Sequence, residues 1–341
     1  MKTTTQRLFT LLMLLYVFLG ENSHATKWII NVQNFSFSPA SLPLVHVGDT
    51  VRWVWINGSH TATSTTIPAS APIWNSPITV SNQSFQYVPT IVGTYNYKCT
   101  PHEGMGMVGS FIVSPLPFIS LNLKVFMEGP FNSTVMNTTL NSSGLLPLSQ
   151  PYNGVAWNYT GTENVASIPN AGIVDWVLVE LRETTGDATT AIVDKRIHRQ
   201  AAFLLSNGNI VGLNGSSLIT YTGTIINNLF VIIWHRNHLA VMSSGSLTGV
   251  GGVYTWDFSN GLSKAYLNGQ KQLVTGICGM IGGDVDASGN TSGPDIDPGW
   301  YANAGEHGYL MGDLNLDGQV NNTDKNDFLI PNQSTFSQVP D

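Results

Sequence analysis

Charge is scarce in this 341-residue chain: Asp, Glu, Lys and Arg make up 10% of it, against 42% hydrophobic residues. So few charges leave little to coat the outer faces of surface helices. The many Gly, Ser, Thr, Asn, Tyr and Trp residues favour strands and turns instead. Basic residues are the scarcer sign, 14 Lys and Arg against 21 Asp and Glu, for a formal net charge of -7. With no basic cluster, nucleic acid is excluded as a partner. Long apolar runs are missing too. None beyond the N-terminal segment approaches the roughly 20 residues a spanning helix needs. Cysteine is limited to Cys99 and Cys278, so an exported chain has at most one disulfide. Paired carboxylates and nucleophile–base sets are also lacking, which argues against an enzyme.

What is present begins with a secretory pattern over residues 1–25. Lys2 and Arg7 form a basic start, residues 8–19 an apolar core, and Ser23-His24-Ala25 a small-x-small cleavage site. The expected protein is exported, to the periplasm, cell surface or medium, with no transmembrane span after cleavage.

Residues 26–115 alternate apolar and polar side chains in short runs. Strands are expected at 28–32, 35–39, 42–47, 51–55, 94–98 and 109–113. Short strands separated by turns read as a β-sandwich. Residues 64–82, rich in Ser, Thr, Pro and Asn, read as a long loop or edge segment. Pro115 and Pro117 close the unit, because proline cannot donate to a sheet ladder.

The chemistry sits between the last two of these strands. The segment Cys99-Thr100-Pro101-His102-Glu103-Gly104-Met105-Gly106-Met107 puts thiol, imidazole and thioether in one tight turn, and His60 follows the Trp53-Val54-Trp55 strand. One thiolate, two imidazoles and a weak axial thioether are the donor set of a type 1 (blue) copper centre. Pro101 fixes a backbone angle, and Gly104 and Gly106 allow the tight turn. The alternative use of Cys99 is a disulfide with Cys278. If Cys99 binds metal, Cys278 is left a free, buried thiol.

From Gly48 to Val113 the chain resembles the plastocyanin/pseudoazurin branch of the cupredoxins. The shared pattern is Gly48-Asp49-Thr50-Val51, Asn57-Gly58-Ser59-His60, then Gly93-Thr94-Tyr95, Tyr97, Cys99, His102, Met107 and Gly109. The resemblance covers about a quarter of the chain. It implies a Greek-key β-sandwich and copper ligation by His60, Cys99, His102 and Met107. The family's spacing from His to Met selects Met107 over Met105. It also implies electron passage through the exposed edge of His102.

Residues 118–275 read as a second β-sandwich, with strands near 119–126, 174–181, 201–205 and 229–234. They resemble a C-terminal module of secreted and cell-surface proteins of Bacteroidetes-type bacteria. That implies surface display and a cell-surface or carbohydrate contact. His235 and His238 invite a metal reading. Residues three apart in a strand point to opposite faces, however, so a structural role is expected unless a turn intervenes.

Residues 282–341 are rich in Asp, Asn and Gly. Asp313, Asn315, Asp317, Gln319 (through its carbonyl) and Asp324 fall at calcium-loop positions, with Gly318 at the sharp turn. A weaker copy runs through Asp284, Asp286, Ser288, Asn290 and Asp295. Two such loops in tandem resemble a dockerin, which implies calcium as a second cofactor.

The whole reads as an all-β exported protein: cupredoxin, second β-sandwich, small calcium-loop region. One-electron transfer to a redox protein partner is the expected function. Copper binding or trafficking without redox cycling, and surface adhesion with the cupredoxin unit as scaffold, are the alternatives.

Overall fold

A computed structural model describes residues 25–341, so the expected signal segment lies outside the described residues, apart from Ala25. The described chain is mostly β-sheet. Among the described residues no helix is long and apolar enough to cross a membrane.

The first unit has nine strands: β1 Lys27–Gln33, β2 Ser36–Ser38, β3 Ser41–His46, β4 Thr50–Trp55, β5 His60–Ser64, β6 Asn75–Ile78, β7 Ser84–Tyr87, β8 Gly93–Lys98 and β9 Val108–Ser114. They form two sheets, ordered β2-β1-β4-β7 and β3-β9-β8-β5-β6. Alternation makes the core. Val51 and Trp53 of β4, Tyr95 and Tyr97 of β8, and Phe111 and Val113 of β9 all point inward and are buried. Trp53 meets Tyr97 edge-on at 5.1 Å, and Tyr95 stacks on Phe111 at 5.0 Å. Such aromatic pairs add about 0.5–1.5 kcal/mol each beyond the area they bury. The polar stretch 64–82 supplies β6, which pairs only with β5 at the sheet edge and carries Pro77. An edge strand tolerates the missing proline N–H.

The prolines at 115 and 117 separate β9 from the next strand, Phe118–Lys124. Beyond them lie a four-stranded sheet and a five-stranded sheet. The long strands Ile173–Thr184, Arg196–Leu205 and Asn228–Trp234 dominate the five-stranded one. Both sheets feed one apolar cluster, with Leu121, Leu123, Ile219 and Tyr221 from the first and Trp176, Leu178, Phe203 and Ile233 from the second. Every residue of Ile173–Thr184 is buried. Its outer face is covered by the C-terminal segment, where Arg182 donates to the carbonyl of Pro340 at 2.5 Å.

Residues 282–341 pack against this unit. Asn237 Nδ2 donates to the carbonyls of Met311 (2.9 Å) and Asp313 (2.8 Å), Asn137 Nδ2 donates to Asn315 (2.8 Å), and Leu316 joins the larger core.

Candidate metal centre

Two strand ends and one turn build the site. His60 opens β5, and Cys99 follows the last residue of β8. The chain then makes a short 3-10 turn, Thr100–Met105, before β9 begins at Val108. Antiparallel pairing of β8 with β9 closes the turn. Three backbone bonds tie it: His102 N–H to Cys99 O (3.1 Å), Met107 N–H to His102 O (3.2 Å) and Cys99 N–H to Met107 O (3.0 Å). Gly106 ends the turn at φ +82°, a conformation that favours glycine.

His60 Nδ1 and His102 Nδ1 face each other at 3.1 Å. Cys99 Sγ lies 3.7 Å from the first and 3.3 Å from the second. The three atoms fall within 4.8 Å of one another. Cys99, His60 and Met107 are buried, while His102 keeps an exposed edge against Phe35, their rings edge-on at 5.0 Å. Met107 sits in the aromatic core, whereas Met105 is 67% exposed. The donor atoms of His60, Cys99 and His102 therefore meet at one end of the first unit, and backbone bonds to Cys99 and His102 hold Met107 next to them. A soft sulfur and two imidazole nitrogens suit copper.

The surroundings fit those donors. Thr61 N–H donates to Cys99 Sγ at 3.4 Å, which orients the sulfur toward the two imidazoles. Thr61 Oγ1 accepts from Thr100 N–H at 2.8 Å and so ties β5 to the ligand turn. Burial pushes the His60 pKa down, the neighbouring His102 pushes it further, and the Asn57 backbone opposes both. A lowered pKa keeps His60 neutral at pH 7, as a ligand must be. Gly58 stands at φ +78°, and a Cβ there would lie 2.4 Å from His60 Nε2. The composition of the loop before His60 thus follows from the space its ring needs. Cys278 is buried and free, like Cys99, so the two form no disulfide.

A profile described as copper binding proteins, plastocyanin/azurin family, matches residues 25–114. A plastocyanin from a Synechococcus species is 31% identical over 113 residues, 28% of this chain and 80% of that protein. The chain belongs to the plastocyanin/azurin family. The plastocyanin of Prochlorothrix hollandica is 38% identical over 82 residues, 23% of this chain. The chain spans about three fifths of that relative's length, 62%. Among solved structures, pseudoazurin from Hyphomicrobium denitrificans is 28% identical and matches 26% of this chain and 76% of its own, with a TM-score of 0.24. The plastocyanin/azurin likeness ends at residue 114, so it says nothing of residues 118–341.

His235 and His238 do meet. The strand stops at Trp234, and the following turn brings their Nδ1 atoms to 3.1 Å. Hydrogen bonds nonetheless give them complementary tautomers. His235 Nε2 faces Asp175 Oδ2 at 3.2 Å and donates its proton there. His238 Nε2 accepts from Gly129 N–H at 3.3 Å, which leaves its proton on Nδ1, where Asn237 Oδ1 accepts it at 2.9 Å beside the His235 ring. Unlike the pair beside Cys99, this pair is satisfied by protein alone. Asp175 also accepts from Arg236 Nε (3.0 Å) and Tyr309 Oη (2.7 Å). Sequence reasoning missed this buried network, because Asp175 and Tyr309 lie far from the histidines in the chain.

The two acidic loops share one backbone design. Asp284 accepts from Gly289 N–H (3.1 Å) as Asp313 does from Gly318 N–H (2.9 Å). Asp295 accepts from Val285 N–H (2.7 Å) as Asp324 does from Leu314 N–H (2.8 Å). The carboxylates of Asp284, Asp286 and Asp295 converge within 4.8 Å. Ser288 and Asn290 sit on that loop's outer side, the Ser288 hydroxyl accepting from Asn290 Nδ2 at 3.1 Å. In the other loop Asp313 and Asp324 are buried. Asn315 Nδ2 donates to Asp317 Oδ2 at 3.0 Å, and Asp317 Oδ1 accepts from Gln319 N–H at 2.9 Å. Burial raises Asp284 to about 7, helped by Asp295. Burial likewise raises Asp313 to about 7, with Arg236 opposing.

Proposed function

We propose that this chain is an exported type 1 copper protein that passes single electrons, held by His60, Cys99, His102 and Met107. The observation that carries the reading is the meeting of the two histidine Nδ1 atoms with Cys99 Sγ. Copper, when bound, supplies a one-electron Cu(II)/Cu(I) couple. The chain does the rest. Thr61 N–H orients the Cys99 sulfur, and burial holds His60 neutral. The bonds across the Cys99–Met107 turn resist movement of the donors when charge changes. His102, partly exposed beside Phe35, offers the route to a redox protein partner. Four protein donors leave no position for substrate, which favours electron transfer over catalysis.

The test is to load the protein with Cu(II), then record the visible spectrum and a redox titration. A strong thiolate-to-copper band, reversible reduction, and loss of the band in Cys99→Ser are expected. A colourless protein, or a band that survives Cys99→Ser, overturns the proposal. A copper complex that does not reduce reversibly favours the binding or trafficking alternative.

A second reading concerns residues 118–341: a β-sandwich surface module with calcium in dockerin-like loops. Its support is the repeated backbone design, with crowded, partly buried carboxylates that a divalent cation would neutralise.

A further inference from the structure

A cavity of about 490 Å³ lies on the outer face of the five-stranded sheet, away from the copper ligands. Its floor follows from the strand register. Leu178 faces Ala201 and Trp234 across the ladders, Glu180 faces Arg199, and Arg182 faces Arg196. The opposite wall is the turn of residues 287–290 together with the C-terminal segment 336–341. The volume falls within the roughly 300–1,000 Å³ of ordinary small-ligand sites.

The polar groups of this cavity are not equivalent. Glu180 and Arg182 are both buried and paired at 2.6 Å, an arrangement that desolvation makes costly. Arg182 also donates through Nη1 to the carbonyls of Ala191 (2.8 Å) and Pro340, so its Nε and Nη1 are committed to the protein. Arg199 reaches over the rim and donates to the carbonyls of Trp157 (2.6 Å) and Asn158 (3.0 Å), pinning the loop that carries the Trp157 ring. One cation is left over. Arg196 is exposed at the rim and forms no ion pair among the described residues. The Trp157 and Trp234 indoles lie in the lining beside it.

Two indoles and one uncommitted guanidinium make a specific demand. Indole faces take the C–H faces of a sugar ring, and a guanidinium takes a carboxylate through two parallel bonds. The carboxylate of Asp341, also in the lining, can accept from a hydroxyl. We propose that this cavity binds a carboxylate-bearing sugar residue of an acidic saccharide. Arg196 holds the acid group, and Trp157 and Trp234 hold the ring. The chain's net charge of -7 repels polyanions at long range, so the recognition is of one local acid group. This proposal does not depend on the copper reading.

The experiment titrates the full chain, in constant calcium, with trigalacturonate and sialyllactose, and with neutral cellotriose and lactose. Tryptophan fluorescence and calorimetry report binding. At least one acidic saccharide should bind and perturb the fluorescence, more tightly than its neutral counterpart and less tightly at high salt. Arg196→Ala, at an exposed position, should weaken it about tenfold, the loss of one charge-assisted bidentate contact. Trp157→Ala should weaken it by a similar factor. No binding by any of the four, equal binding of neutral sugars, or an unchanged affinity in Arg196→Ala overturns the proposal. Arg196→Ala should keep its copper spectrum, so failure here leaves the copper reading untouched.

Discussion

At the scale of single residues, the copper ligands were legible because they are rare side chains at fixed spacing in one turn. Cys99, His102 and Met107 needed no long-range information, and His60 needed only the strand before it. The space around them was not legible. Gly58 reads as an ordinary turn glycine, yet a Cβ there would meet His60 Nε2 and, at 2.7 Å, Asn34 Oδ1. Gly58→Ala also forces a side chain to φ +78°, at about 1–2 kcal/mol. The expected result is a metal-free first unit destabilised by about that much or more in urea, with a weakened, shifted copper band. An unchanged spectrum and midpoint would show that the loop relaxes freely. Asp175 makes the opposite case, invisible in sequence and central in the fold. Burial alone would raise its pKa, but Arg236, His235 and Tyr309 outweigh burial and hold the carboxyl below its ordinary value. Asp175→Ala leaves Arg236 buried without a counter-charge, so a loss of about 3–5 kcal/mol is expected on denaturation. A loss below about 1 kcal/mol would mean that water or Asp313 takes over the pairing.

At the scale of elements, alternation located six of the nine strands of the first unit and the four longest strands beyond it to within a few residues, because these bury one face or both against apolar partners, whereas the short strands between them carry too few residues to show a period. It misjudged the segment after Trp234. The apolar run stops there, and a turn joins two histidines that strand geometry would have kept apart. The acidic loops carry a different lesson. Counting ligands favoured residues 313–324, but the three carboxylates that converge belong to 284–295, since Asp286 stands where the other loop has Asn315. Asp284 and Asp313, raised to about 7, fix the sign of a pH effect. In the unfolded chain they ionise near 3.8, while in the cation-free fold they keep their protons to about 7. Their contribution to stability is thus present at low pH and lost as pH rises from about 4 through 7. Calcium needs the ionised forms and opposes that loss. The melting shift caused by calcium over chelator should therefore be larger at pH 7.5 than at pH 5. At a free calcium concentration of about 100 Kd it corresponds to roughly 2.7 kcal/mol. Equal shifts at the two pH values, or none, would sink the calcium reading.

At the scale of the whole molecule, the apolar clusters divide the chain more sharply than its composition does. One runs from Ile30 to Val113 and the largest from Ile119 to Leu316, with no residue in common. No strand pairing among the described residues crosses the prolines at 115 and 117. Composition changes again near Gly282, but packing does not follow it. Arg236 and Asn237 hold the carbonyls of Leu310, Met311 and Asp313, and Leu316 lies in the larger core. Sequence could not reveal this docking, because it depends on carbonyls that every residue carries. The consequence is a pattern of linkage. A ligand that binds only the folded state stabilises the cooperative unit that holds it. Calorimetry of the full chain should resolve two transitions. Copper should raise one of them by about 4–8 °C for each kcal/mol of binding linkage, the scale for a unit of about 60–100 residues. Calcium should raise the other and leave the copper-sensitive one in place. Asp175→Ala should lower only the calcium-sensitive transition, since the network that it breaks binds the acidic loops to residues 118–275. A single transition that answers to both metals would show that the two cores unfold as one, and that the proline break separates strands without separating stabilities.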